Sequence, residues 1–448
     1  MTIFNSICPL SAVFDNGRRE TAYRGGMSGT ASLILWDCVP YFAAKNKIMD
    51  AILLTYGLEW LNLLGRWLHL ITGIAWIGAS FYFVWLDNSI RPPKAGSELE
   101  RQGVSGELWA IHGGGFYNPQ KYLLAPKELP ETLHWFKWEA YATWLSGFAM
   151  LIIVYYANAQ AMLIDPAVAN LTSAQAIGVG LGALVIGWTV YDLLCRTKLG
   201  QTEGLFGIII YLLIVLAAYV LTHLLSGRAA YLHVGAMMGT MMVGNVLMVI
   251  IPGQRKMVAA MSAGQTPDPI YGKRGKQRSV HNNYFTLPVL FIMISNHYGM
   301  TYNHPYNWLV LAAIMAAGVS IRHFFNLRHR ERVEWRFVVL GVAILLGVAI
   351  ALAPKPVVRT AAANVDFAQV QAIVAQRCVT CHAANPAQPG FATAPAGVML
   401  DKPELIRLHA ARVYQQVVQL KAMPIGNLTQ ITEQERAVIG AWFEGGAK

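Results

Sequence analysis

The chain has 448 residues, of which 55% are apolar and 13% charged, with 13 tryptophans and a net charge of +11. That balance excludes an ordinary soluble protein of this length and points to a chain embedded in a lipid bilayer. Five cysteines are too few for a disulfide framework, and in such a chain a basic excess reads as membrane topology, not nucleic-acid binding, because Lys and Arg are retained in cytoplasmic loops.

Residues 1–48 differ in composition from the rest of the chain, since "DNGRRETAYRGG" and "FAAKNK" flank only a short apolar run, "ASLILW". No cleavable signal peptide is expected there. Because "MDAILLTYGLEWLNLL" from Met49 looks like a natural start, residues 1–48 are expected to be a poorly structured extension or the product of a mis-assigned start.

A spanning helix takes about 20 apolar residues. Eight stretches qualify: 57–86, 138–164, 172–195, 204–225, 230–251, 283–301, 305–322 and 336–353. The expected fold is therefore all-α, a polytopic bundle of about eight spans over residues 49–353. An even number of spans puts both ends of the bundle on one side. One set of connections carries Arg91, Lys94, Arg101, Lys121, Lys127, Arg196, Lys198, Arg255, Lys256, Lys273, Arg274, Lys276, Arg278, Arg322, Arg328, Arg330, Arg332 and Arg336, while the opposite set has only Arg228. The positive-inside rule makes the basic set cytoplasmic and places both termini outside.

Composition changes again at "ALAPKPVVRTAAANV", where residues 354–361 read as a linker. Residues 362–448 resemble a small class I cytochrome c. In "QRCVTCHAANP", Cys378 and Cys381 have the spacing that fixes haem c through two thioethers, and His382 is placed as the proximal iron ligand. A zinc half-site would need two further ligands, and a redox pair would need a βαβ setting. Neither is visible. Met423, before the last helix, is favoured over Met399 as the distal ligand. The resemblance to these cytochromes implies attachment of the haem at the outer face of a bacterial cytoplasmic membrane, in agreement with the charge distribution.

Histidines recur in the outer halves of the spans: His69, His223, His233 and His297. Each could cap a helix or hydrogen-bond a backbone carbonyl. The sharper expectation is that His69, with His233 or His297, ligates a haem b inside the bundle. "RWLHLITGIAWIGASFYF" also resembles the first helix of an integral-membrane protoporphyrinogen oxidase family that binds haem b.

A second group gathers at the cytoplasmic face. It comprises His112 with Gly113–Gly115, Phe116 and Lys121, then His134, Lys137 and Glu139, then Arg278, His281, Asn282 and Asn283. Glycines allow close backbone approach or an unusual turn. Aromatic faces with amide and cationic groups suit a flat, anionic heterocycle.

Together, "RWLHLITGIAWIGASFYFVWLDN", "GELWAIHGGGFY", "LHWFKWEAYATWLSG", "IPGQRKM" and "KQRSVHNNYFTLPVLFIMISNHY", joined to a terminal CxxCH domain, resemble the membrane-bound PuuD-type bacterial urate hydroxylases from about Met49 to the end. The resemblance implies oxidation of urate to 5-hydroxyisourate, with electrons passed to haem c and on to a respiratory-chain acceptor such as a soluble cytochrome c or a terminal oxidase. On the residues' own chemistry, His281, Glu139 and His112 are the candidate catalytic groups, with Lys137, Arg278 and Asn282 binding the anion. Urate at the inner face would lie about 30 Å from the outer haem, which requires the histidine-held relay; urate entering from outside would not. A membrane-anchored cytochrome c serving a terminal oxidase is the alternative function, and a transporter a third.

Overall fold

The computed structural model describes residues 30–353 and 365–448, apart from residues 124, 390 and 392. The expectations for residues 1–29 and for the linker lie outside the described residues. Helix α1 (Thr30–Ser89) covers the first expected span and reaches back into the segment expected to be poorly structured.

The connection after α1 amends the all-α expectation. After α2 (Glu98–Arg101) come four short strands, β1 (Val104–Glu107), β2 (Ala110–His112), β3 (Gly115–Tyr117) and β4 (Gln120–Tyr122). They pair antiparallel, β1 with β4 and β2 with β3. The β2–β3 hairpin closes on Gly113 and Gly114 at φ 57° and 82°, the left-handed pair that a two-residue hairpin turn demands and glycine alone adopts freely. That turn accounts for the glycine run. Lys121 on β4 and Lys276 both pair with Asp87 at the end of α1. Burial and then the Lys276 charge pull the Lys121 ammonium below its ordinary pKa.

Helix α3 (Trp138–Met150) loosens into a π-helical turn at Leu151–Tyr156 and is followed by α4 (Ala159–Met162). A reciprocal cap between Thr172 and Gln175 starts α5 (Ser173–Arg196), and α6 (Glu203–Thr222) follows. The next helix, α7 (Gly227–Gly244), begins at the Ser226 cap and runs through a second π turn, Asn245–Ile250, into α8 (Ile251–Ser262). Asp268 and Pro269 start α9 (Pro269–Ser295), a combination suited to the first turn of a helix. The bundle closes with α10 (Gly299–Tyr302), α11 (Asn307–Arg328) and α12 (Arg336–Ala351).

Two thirds of α7 is buried and none of it is fully exposed, and it packs against α3, α5, α6 and α9. It is the axis of the bundle. Among the described residues, five segments are long and apolar enough to cross a membrane: Trp60–Ser89, Ser173–Arg196, Gly204–Thr222, Gly227–Ser262 and Asn307–Arg328. The other three expected spans fall on elements of different character. Residues 138–164 are divided by the first π turn and a break at Asn158, residues 283–301 include only the apolar half of α9, and α12 has 16 residues. Large apolar side chains such as Trp67, Ile74, Val185, Ile208 and Ile350 face outward, a surface that suits lipid. The chain is a membrane protein by these features.

The C-terminal segment is a separate helical layer of α13 (Phe367–Arg377), α14 (Pro403–Leu408), α15 (Ala410–Val413) running into a π turn at Tyr414–Gln419, and α16 (Glu433–Glu444). A Thr432–Glu435 capping box starts α16. Val370, Val374, Leu400, Ile406, Ile439 and Trp442 form its core. It rests on the bundle through the loop at 420–428. Asn303 donates to the Leu420 carbonyl at 2.8 Å, and Gly426, at φ 55°, lies so close that a Cβ there would sit 2.6 Å from the Ile164 carbonyl oxygen.

Candidate functional site

The C-terminal helices enclose a cavity of about 390 Å³ with Cys378, Cys381, His382 and Met423 in its wall, closed on the bundle side by Ala161. Both thiols are free. Burial pushes the Cys378 thiol up to about 12, so it is held protonated. The His382 Nδ1–H donates to the Val398 carbonyl at 2.8 Å, which fixes the ring and leaves Nε2 available to a ligand in the cavity. The Met423 loop is pinned from behind by Arg436, whose Nη1 donates to the Met423 carbonyl at 2.9 Å and to that of Val417. Met399, the other candidate, is not in the cavity wall and is more than a third exposed. The donor set therefore fits haem c: two thiols, an oriented imidazole and a thioether share one cavity.

The second constellation lies in the bundle between α5, α7 and α9. Arg278, 3% exposed, pairs through Nη2 with Asp192 Oδ1 at 2.7 Å. Its Nη1 donates to Asn245 Oδ1 at 3.0 Å, and Asn245 Nδ2 in turn donates to the Tyr191 hydroxyl at 2.9 Å and to Asn282 Oδ1 at 2.8 Å. Tyr191 reaches His281 Nδ1 at 2.8 Å. One tyrosine lone pair is already taken by Asn245, so its proton goes to the best acceptor in reach, His281 Nδ1, and the proton on His281 stays at Nε2. Phe206 stacks on the imidazole with centroids 5.0 Å apart. Asn245 opens the second π turn, an irregularity frequent at functional positions.

A family model described as urate oxidase N-terminal matches residues 55–353. The chain belongs to the urate oxidase family. No curated protein and no solved structure matches it. The matched region takes in the whole bundle, and with it the Arg278–His281 network, so the urate oxidase domain and the CxxCH segment are distinct parts of one chain.

Within that urate oxidase domain the other candidates are dispersed. His112 is exposed at the end of β2, facing Gly115 across the hairpin. Lys137 precedes α3, with Nζ 5.7 Å from the Trp138 ring centroid. Glu139 has a buried Oε2 with no hydrogen-bond partner. Among the described residues no hydrogen bond joins any of these three to the Arg278–His281 network.

The outer-half histidines divide in the same way. His297 is exposed on the turn after α9, and His223 caps α6 with Nδ1 on the Tyr219 carbonyl. His69 and His233 are different. His69 Nδ1 lies 3.0 Å from the Thr143 carbonyl, and the ring fills a notch at Gly147, where a Cβ would meet Cε1 at 2.8 Å. His233 is fully buried, with Nδ1 2.8 Å from the Ala229 carbonyl and Nε2 3.2 Å from the Tyr156 hydroxyl. A Cβ on Gly180 would come within 2.4 Å of that Nε2. Both rings thus have the carbonyl-oriented Nδ1 typical of iron-ligating histidines, but among the described residues only the His69 Nε2 has no hydrogen-bond partner; that of His233 is held by Tyr156 and would have to release it to ligate iron. Among the described residues no group of three or more His, Cys, Asp or Glu could hold a bare metal ion, a requirement that axial ligation of a haem does not share.

Asp192, Tyr191 and Asn245 were missed in the sequence. An ionisable residue inside a predicted span, as Asp192 is in 172–195, was the available signal.

Proposed function

We propose that the chain oxidises urate to 5-hydroxyisourate in the bundle and delivers the electrons to a haem c held by Cys378, Cys381, His382 and Met423, and from there to a respiratory-chain acceptor. The observation that carries this reading is the shared cavity. The four haem-binding residues line it, and its floor is Ala161 of the domain matched to the urate oxidase family. Membrane anchoring of a cytochrome would explain an apolar bundle but not the buried Arg278–His281 network within it.

The urate monoanion plus water gives 5-hydroxyisourate, two electrons and one proton, the new oxygen coming from water. Bound haem c supplies a one-electron acceptor, so two electrons leave in succession. In the bundle, His281 presents Nε2–H as a donor to a urate oxygen or ring nitrogen, while Asn245 and Tyr191 hold its tautomer. Glu139, with its unpartnered buried carboxylate oxygen, is then the better general base for water attack, and Lys137 begins the same helix. A haem b ligated by His69 and His233 would relay electrons outward. In support, Tyr156, the partner of His233, lies five residues before Ala161. Eight crossings, with a bacterial inner membrane around them, a cytoplasmic urate site and an external cytochrome c domain, complete the reading.

The test is turnover by purified protein in detergent, followed by loss of urate absorbance with an oxidised cytochrome c as acceptor. Urate consumption matched by two equivalents of cytochrome reduced is expected. Cytochrome oxidation by an added terminal oxidase, with no reaction to urate, would support the conduit instead. Met423→Leu should lower the haem potential by on the order of 0.1 V, within the ~0.8 V range that axial ligands command. Met399→Leu should leave it unchanged in the same redox titration.

A further inference from the structure

Three arginines are buried among the described residues: Arg278, Arg322 and Arg436. Two have carboxylates at hand, Asp192 for Arg278 and Glu433 for Arg436. Arg322, 5% exposed on α11, pairs with no carboxylate among the described residues, and its buried Nη2 has no hydrogen-bond partner. Its Nε donates to Asn283 Oδ1, Asn283 Nδ2 donates to Asn326 Oδ1 at 3.0 Å, and the guanidinium lies 4.0 Å from the Phe81 ring centroid. A neutral amide and an aromatic face orient a cation without cancelling its charge. Burying such a charge is costly unless an anion completes the site.

The surroundings provide an approach. Asn326 and His329 follow Arg322 by four and seven residues, on one face of α11, and Trp85 and Ser89 follow Phe81 at intervals of four on α1. Where these two faces end, an open cleft of about 630 Å³ is lined by Trp85, Ser89, Leu108, Arg328, His329 and the Arg91–Glu331 ion pair, so its net charge is positive. With Arg322 Nη2 and Arg278 Nε, His329 Nδ1 is one of three buried side-chain nitrogens without a hydrogen-bond partner among the described residues. On α9, "HNNY" spends every side chain of one turn on a polar contact: His281 on Tyr191, Asn282 on Asn245, Asn283 on Arg322, and Tyr284 on His323 at 2.7 Å. Adjacent residues thus tie the Arg278 network, which holds the Asp192 carboxylate, to Arg322, which has no carboxylate partner among the described residues.

We propose that Arg322 is the anion anchor of the substrate site, binding the flat urate anion through Nη2, with Asn283 and Asn326 as positioning residues and the cleft between the ends of α1 and α11 as the way in. The substrate's identity here rests on the urate reading above. Arg278, already paired with Asp192, which it shares with Arg196, then orders the catalytic network and does not bind the anion directly.

The test is equilibrium binding of radiolabelled urate to the full-length haem-loaded protein in detergent, pre-reduced so that no turnover occurs, beside steady-state kinetics. Arg322→Gln should raise both Kd and KM for urate roughly 10- to 100-fold, the loss of one hydrogen bond to a charged group, with kcat changed far less. Arg322→Lys and Asn326→Leu should fall between, because they keep a charge but lose the fork or its orientation. Unchanged urate binding in Arg322→Gln, or in the two milder variants should that protein not fold, would overturn the anchor and leave the urate reading standing. Wild-type protein that binds urate through Arg322 without oxidising it would support the anchor and overturn that reading. Wild-type protein that binds no urate would overturn both.

Discussion

Replacing Cys378 and Cys381 together by serine should abolish covalent haem and reduce urate turnover to acceptor by two or more orders of magnitude, while urate binding in the bundle persists. Serine is close to cysteine in size, so the core formed by Val374, Leu400 and Val413 around Cys378 loses little packing. The loss is chemical, because no thioether remains to hold a haem beside His382. Haem staining on a denaturing gel reads the attachment, and urate consumption reads the consequence. His382→Ala should keep the covalent stain but lose the proximal ligand that Val398 orients. If the double serine variant consumed urate at the wild-type rate, electrons would be leaving by another route and the C-terminal segment would have no part in catalysis.

Arg278→Leu should destabilise the bundle by about 3–5 kcal/mol, the usual cost of removing one member of a buried ion pair. The side chain is 4% exposed and its departure leaves Asp192 Oδ1 and Asn245 Oδ1 without their donor. Arg196 also contacts Asp192, at 2.7 Å, but is 66% exposed. Its replacement by alanine should therefore cost no more than about 1 kcal/mol. Thermal unfolding in detergent distinguishes the two: a large fall in midpoint for Arg278→Leu beside a small one for Arg196→Ala. Equal, small shifts would mean that the network is solvated and structurally idle.

Much of this was legible in the sequence because it depends on local pattern. The CxxCH spacing fixed three residues of the cavity, and the Thr432–Glu435 box and the amphipathic run before Cys378 gave its flanking helices. Met423, preferred to Met399 for its place before the last helix, is the one of the two that lines the cavity. Hydropathy located the long spans well. It was less informative at 138–164, where the helix breaks at Asn158, and at α9, whose first half is charged. The strands of the first connection escaped because three-residue strands carry almost no periodic signal. Grouping His112, Lys137 and Glu139 with His281 relied on shared residue chemistry, and the fold keeps them in separate elements. The partners of Arg278 and the isolation of Arg322 are properties of packing between distant helices, which no local pattern encodes. The sequence assigns Arg278 to binding the anion and leaves Arg322 as inside charge, since only burial and pairing tell the two apart.

The central claim is that electrons from urate cross the bundle to a haem at the C-terminal end. It is tested most directly by a reduced-minus-oxidised absorbance spectrum of the purified protein with urate as the only reductant, with haem quantified as the pyridine haemochrome. The account predicts a c-type band and a b-type band, both reduced by urate, with the b-type band lost in His69→Ala and retained in His297→Ala. A c-type band reduced without any b-type band would remove the relay and move the urate site next to the cytochrome segment. A haem c that stays oxidised in the presence of urate would contradict the account.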